Sequence, residues 1–395
     1  MSNRKLKIFN GKIIAADKII PNGTLLVKDN IITAISEQDI QADDAIEIDA
    51  DGKYISPGFI DMHVHGGGGH DFMDGTIDGF LEIAKLHAKY GTTAMTPTTL
   101  SCSLEELHHI LGIYPEAHKQ NFTGAQFIGM HLEGPYISLI QAGAQDPKHI
   151  RNPNEEEYTD ILYRYPFIKR WSAAPELPGA ISFGEYLQSK KILASIAHTD
   201  AIYEEAEAAF KKGYTHATHF YSAMSGVSRR NGFRSAGVIE SAYLIDEMTV
   251  EIIADGRHLP SALLKLVHQI KGSNNTALIT DAMRAAGMPP GESTLGSLTN
   301  GIKVIVEDGV AKLPDRSAFA GSVATADLLV RNMLTLAGVS LQEAVKMMSA
   351  TPAAIMKIEN KKGSLSAGKD ADIVIFDEEI NIQTTIVNGK IVYSR

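Results

Sequence analysis

From residue 5 to residue 37 the chain alternates apolar and polar side chains, in KLKIFNGKIIAADKIIPNGTLLVKDNIITAISE. Asn10-Gly11, Pro21-Asn22-Gly23 and Asp29-Asn30 interrupt the alternation with turn chemistry. A period of two broken by such residues predicts short, half-buried strands joined by tight turns. The last stretch, ADIVIFDEEINIQTTIVNGKIVYSR, has the same texture and carries Asn388-Gly389 as a hairpin turn. Two β-rich ends around a different middle predict one small β domain built from both, residues 1–56 with 355–395.

Between them, residues 57–354 repeat a strand-then-helix unit at roughly thirty-residue spacing, the βαβ rhythm. Strand candidates are 58–65, 92–98, 126–133, 168–174, 191–198, 214–219, 248–254 and 276–281. Amphipathic helices fill several gaps. IDGFLEIAKLHAKY sets Ile77, Phe80, Leu81 and Ala84 on one face and stops at Gly91. LEELHHILGIY and YEEAEAAFKKG behave likewise; in the latter, Glu204 and Glu205 come early and Lys211 and Lys212 late, which suits the helix dipole. Further helices are predicted over 323–337 and 340–349. Eight strands predict an α/β fold closed as a (β/α)8, TIM-like barrel rather than an open sheet.

Composition narrows the class. At 395 residues the chain can bury a large core and hold more than one domain. A single cysteine, Cys102, excludes an internal disulfide framework and a Cys-rich zinc site, and reads as a buried thiol. The first residues contain no apolar run of signal or membrane-span length, so a cytoplasmic protein is expected. The formal net charge of -10 disfavours nucleic acid and anionic membranes as partners. An anionic substrate would need local cations. Arg229, Arg230 and Arg234 form the densest cationic group.

The candidate chemistry sits where apolar strands stop. GFIDMHVH ends in His63 and His65, FIGMHLE in Glu133, LASIAH in His198, YTHATH in His219 and ALITD in Asp281. In a parallel barrel those ends share one rim, so distant residues converge there. His63 and His65, two apart on a strand, face the same side and can grip one ion. A carboxylate at Glu133 can hold one ion or bridge two, and imidazoles suit zinc, iron and similar divalent metals. Asp281 can take a proton from metal-activated water and pass it to a leaving group. His258, after the seventh strand, is a candidate substrate contact. His131 is a candidate support for Glu133. His70 and Asp71, beyond the run Gly66 to Gly69, read as loop residues. His87, His108, His109, His118, His149, His216 and His268 fall on helix faces or off the rim and read as structural or exposed.

Taken in order, PGFIDMHVHG, HLEGPY, IAHTDA, THFYSAMSG, IADGRH, LITDAMRAAGM, AGSVATADLLVRNML and LSAGKDADIVIFD resemble the N-acetylglucosamine-6-phosphate deacetylases of the amidohydrolase superfamily. The resemblance spans nearly the whole chain. It implies a metal-dependent (β/α)8 barrel, a β-sandwich from both ends and a homodimer. The activity it implies is release of acetate from an amino sugar phosphate by an activated hydroxide, in amino sugar catabolism. His63 and His65 match the ligands of members with two metals, and Glu133, His198 and His219 match ligands common to one- and two-metal members. Asp281 matches the general base and acid, which can also touch the first metal. Ala144, Ser222, Ala223, Arg230, His258, Ala320 and Gly321 match positions that contact the sugar phosphate.

Three departures stand out. Ser222 replaces the family's usual Asn, and Arg230-Asn231-Gly232 replaces its usual Glu-Pro-Gly. Gln145 stands where one-metal members often carry a His that polarises the acetyl carbonyl; a second ion at His63 and His65 would supply that polarisation instead. These departures keep a related substrate open, such as N-acetylgalactosamine 6-phosphate, an unphosphorylated acetamido sugar or a cyclic amide. A metal-stabilised scaffold without catalysis is the contrasting class, separated by metal analysis and chelation.

Overall fold

The computed structural model describes residues 4–395, so residues 1–3 of the expected terminal domain lie outside the described residues. Eight parallel strands form the frame of the middle: β1 Phe59–Val64, β2 Thr92–Thr99, β3 Met130–Glu133, β4 Ile168–Ala173, β5 Leu193–Ile196, β6 Tyr214–Ala217, β7 Thr249–Ile252 and β8 Thr276–Leu278. Each pairs in parallel with the next in sequence. The ring closes beyond the strands proper. Asp281 N–H donates to His63 O and His65 N–H to Ala282 O, each at 2.9 Å. The buried Asp61 carboxylate accepts from the Thr280 hydroxyl at 2.5 Å across the same seam.

Seven of the eight strands fall within the spans the apolar runs predict, β2 runs one residue past its span to Thr99, and the third span is interrupted. The third span starts as a short strand, Gln126–Phe127, on β2 and resumes as β3 after Gly129. Gly129 has φ +121, and a Cβ there would lie 2.3 Å from Lys169 Cγ, so the backbone kink requires glycine.

Helix Ile77–Lys89 forms between β1 and β2, capped by the Thr76 side chain on Gly79 N–H. It buries Phe80, Ile83, Ala84, His87 and Ala88, a face turned slightly from the expected one; Leu81 is partly exposed. Full burial of a Phe or Ile side chain stabilises by about 1.5–3 kcal/mol, so this face holds the helix on the barrel. Helix Leu104–Gln120 runs past the expected end at Tyr114, carrying Pro115 inside it. The 323–337 segment is a helix at Ala326–Asn332 that widens into a π turn at Met333–Ala337.

Both chain ends meet in one eight-stranded sheet among the described residues. The join is antiparallel pairing of Tyr54–Pro57 with Ile373–Phe376. Leu6, Ile8, Ile13, Leu25, Ile55 and Ile373 belong to its own apolar core. A second, unexpected sheet, Gly291–Leu295, Ile302–Glu307 and Val310–Lys312, follows β8. It packs Leu295, Val304 and Ala311 on Met283 and delivers the following loop to the barrel mouth.

Candidate metal and active site

The expected rim residues converge. Glu133 ends β3, and the turn after it depends on Gly134, whose φ is +79 and whose Cβ would lie 2.2 Å from Ser101 Oγ. His198, His219 and Asp281 follow the ends of β5, β6 and β8, and all three take positive φ, at 45°, 26° and 48°. Histidine and aspartate tolerate this left-handed region better than most residues, yet it is uncommon enough to mark a constrained site.

Two overlapping groups result: His63, His65 and Glu133, and Glu133, His198 and His219. Within each, the ligand atoms lie inside 4.8 Å of one another, and all five residues are buried. Glu133 joins them. Its Oε1 lies 3.0 Å from His219 Nε2 and 3.4 Å from His198 Nε2, and its Oε2 lies 3.3 Å from His65 Nε2. Asp281 Oδ1 sits 3.2 Å from His65 Nε2 and 3.4 Å from His63 Nε2.

The donor chemistry fits divalent ions. His63 Nε2 and His65 Nε2 approach to 3.2 Å, and His198 Nε2 and His219 Nε2 to 3.3 Å. His63 Nδ1 donates to Glu251 at 2.8 Å and His198 Nδ1 to Gln141 O at 2.8 Å, which leaves bare Nε2 lone pairs facing inward. Lone pairs that close need a cation between or beside them. Burial opposes charge on His65, but the Asp281 and Glu133 carboxylates overcome it and push its pKa up to about 10. The site attracts positive charge strongly. Burial likewise opposes ionisation of Glu133 and Asp281, yet the surrounding imidazoles hold both below the usual carboxylate range.

Above this cluster opens a cavity of about 480 Å³. His65, Glu133, His198, His219 and Asp281 line it, with Ala144, Gln145, Ser222, Ala223, His258 and Gly321 from the expected contact set. His258 is held by Asp255, Nδ1 to Oδ2 at 2.7 Å, and packs on Phe319. Two expected contacts are not in the wall. Ala320 is fully buried in the inserted sheet's core. Arg230 lies on the exposed hairpin Ser228–Arg230 to Phe233–Ser235, bonded to Asp200, whose carboxylate also accepts from the wall residue Gln141 at 3.4 Å. Arg229 and Arg234 pair across that hairpin and are exposed.

The sequence similarities accord with this geometry. Residues 54–392 match the model of the amidohydrolase family. The chain belongs to the amidohydrolase family. N-acetylglucosamine-6-phosphate deacetylase of Lysinibacillus sphaericus is 35% identical over 376 residues, 92% of each chain. N-acetylgalactosamine-6-phosphate deacetylase of Escherichia coli O157:H7 is 31% identical over 96% of this chain and 97% of its own. Among solved structures, N-acetylglucosamine-6-phosphate deacetylase from Pasteurella multocida superposes with TM-score 0.92 at 27% identity, covering 99% of this chain and 100% of that one.

Other residues of this amidohydrolase make contacts that the sequence did not predict. Gln145 does not present its amide only to the cavity: Nε2 donates to Glu133 Oε2 at 2.9 Å, and Oε1 accepts from Ser101 N–H at 2.7 Å. His131 supports His63 rather than Glu133, its ring edge-on at 4.7 Å and its nitrogens bonded to Ser172 and Thr98. Asp71 turns away to accept from Met73 and Gly296 N–H. Arg170 and Glu251, both fully buried, pair beneath the histidines with Nη1 to Oε2 at 2.6 Å. The available signal was a charged side chain inside each of two expected strands: Arg170 in IKRWSA, where Lys169 also stands, and Glu251 in TVEIIA.

Proposed function

We propose that this chain hydrolyses the acetamide of N-acetylglucosamine 6-phosphate to acetate and glucosamine 6-phosphate. The observation that carries this reading is the shared carboxylate of Glu133 between two histidine pairs, with Asp281 beside them at the floor of a sugar-sized cavity. The residues suit one or two divalent ions, of zinc, iron or manganese, since nitrogen and oxygen ligands admit all three. An ion held there supplies Lewis acidity and lowers the pKa of water toward about 7.

The chain's own groups do the rest. Asp281, held as a carboxylate, accepts the attacking water's proton and returns it to the departing amine. His258 has Nδ1 committed to Asp255, which leaves Nε2 for a sugar or phosphate oxygen. Ala144, Ser222, Ala223 and Gly321 shape the sugar pocket, with Gln145 beside Glu133. Ala320 acts from behind the wall by fixing the Phe319–Gly321 loop. Arg230, at the cavity's edge beside Asp200, meets the phosphate by a charge-assisted contact.

Residues 57–354 make the catalytic domain and 1–56 with 355–395 the accessory one, a division supported by the separate core of the terminal sheet. A homodimer is supported by Val227, Phe233, Leu139 and Ile140, large apolar side chains left exposed on the hairpin and the nearby loop. Among the described residues no helix is long and apolar enough to cross a membrane, and a cytoplasmic site of action suits a sugar phosphate substrate.

A second reading, deacetylation of the galacto epimer, is favoured by Ser222 and by the likeness to the Escherichia coli relative. Acetate release from N-acetylglucosamine 6-phosphate, N-acetylgalactosamine 6-phosphate and free N-acetylglucosamine separates the two. Highest kcat/KM on the first supports the proposal; preference for the second transfers it to the epimer.

A further inference from the structure

Beneath the rim lies a buried ion pair that the mechanism above does not use. Glu251 stands inside β7 with both oxygens fully engaged. Oε1 accepts from His63 Nδ1 at 2.8 Å, from Arg170 Nη2 at 2.8 Å and from the His219 backbone N–H at 3.2 Å. Oε2 accepts from Arg170 Nη1 at 2.6 Å and from His216 Nε2 at 3.1 Å. Arg170 spends its other donors on Met62 O, Thr218 Oγ1 and Ser195 Oγ. His216, read from sequence as a structural histidine, is part of this network.

Burying two charges is costly, and apolar residues of the same volume would fill a barrel core as well. Packing alone does not explain the pair. Its contacts do: through one carboxylate it reaches a ring from the first histidine pair and the backbone of a residue from the second. Metal-ligating histidines are commonly oriented by a carboxylate on the distal ring nitrogen, which fixes the tautomer and strengthens the ligand.

We propose that Glu251, clamped by Arg170, is a positioning residue that fixes His63 with its proton on Nδ1 and its Nε2 lone pair turned toward a divalent ion. This rests on the reading of His63, His65 and Glu133 as ligands of one ion. Replacing Glu251 alone would strand the Arg170 charge, so the pair is changed together. Chelator-stripped wild type, R170M/E251L and R170M/E251Q are titrated with Zn²⁺ against a chromophoric chelator. R170M/E251L is expected to bind one ion about 10–100-fold more weakly. R170M/E251Q, whose amide oxygen still accepts from Nδ1, recovers part of that loss. Wild-type affinity and stoichiometry in R170M/E251L overturn the inference. Should that variant not fold, a crystal structure of zinc-loaded wild type decides: Glu251 on Nδ1 with the ion on Nε2 supports it, and Glu251 turned away or the ion on Nδ1 overturns it. Wild type that takes up no Zn²⁺ removes the metal reading itself, an outcome distinct from failure confined to the variants.

Discussion

Asp281 holds a left-handed backbone conformation that asparagine adopts with equal ease. Asp281→Asn should therefore fold normally while losing the carboxylate proposed to move the proton. Its kcat for acetate release is predicted to fall by about 10²–10⁴-fold, and a drop of less than tenfold would take Asp281 out of the role. Arg230→Ala should raise KM for the phosphorylated sugar far more than for the free sugar. Equal effects on both would contradict the phosphate contact and leave the guanidinium with Asp200 as its partner. At this scale the convergence of the rim residues was legible, because an apolar run ending in His, Glu or Asp is visible in one dimension. What Gln145 touches was not: its partners, Glu133 at the end of β3 and the Ser101 backbone just after β2, lie 12 and 44 residues away in the chain.

Elements explain which of the remaining histidines matter for stability. His87, on helix Ile77–Lys89, is fully buried with Nε2 on Gly66 O at 2.9 Å. Burial lowers its pKa to about 4, despite the favourable Gly66 carbonyl. Because the folded value lies below the ordinary 6.5, the unfolded chain takes the proton first. The stability of the neutral form is complete above about pH 6.5 and is lost as pH falls toward about 4, by on the order of 3 kcal/mol. His87→Gln should flatten that limb in urea unfolding at pH 7 and pH 4.5; parallel losses in wild type and variant would contradict it. The barrel strands were legible because buried parallel strands read as apolar runs. The inserted sheet was not read, although IKVIVE, Asp308-Gly309 and VAK carry a hairpin signal. Helix Leu104–Gln120 outran its expected end, although Pro115 forfeits a hydrogen bond, because Tyr114 and Ala117, either side of it, stay buried in the core.

For the whole molecule, the alternating ends and the repeating middle already implied two cores, and the terminal sheet and the barrel supply them. Strand order and barrel closure follow from sequential right-handed connection, so eight strands left little choice. The cavity wall was not legible in the same way, because it is built from loop positions such as Ser222 and Phe319 that no periodicity governs. In the proposed function, scattered side chains meet at one mouth to hold divalent ions for amide hydrolysis. The deciding measurement is acetate release from N-acetylglucosamine 6-phosphate by purified protein, after stripping with chelator and after adding back Zn²⁺, Fe²⁺ or Mn²⁺. Turnover that disappears on stripping and returns with at least one ion is predicted; undiminished turnover in metal-free protein, or none under any condition, would contradict it.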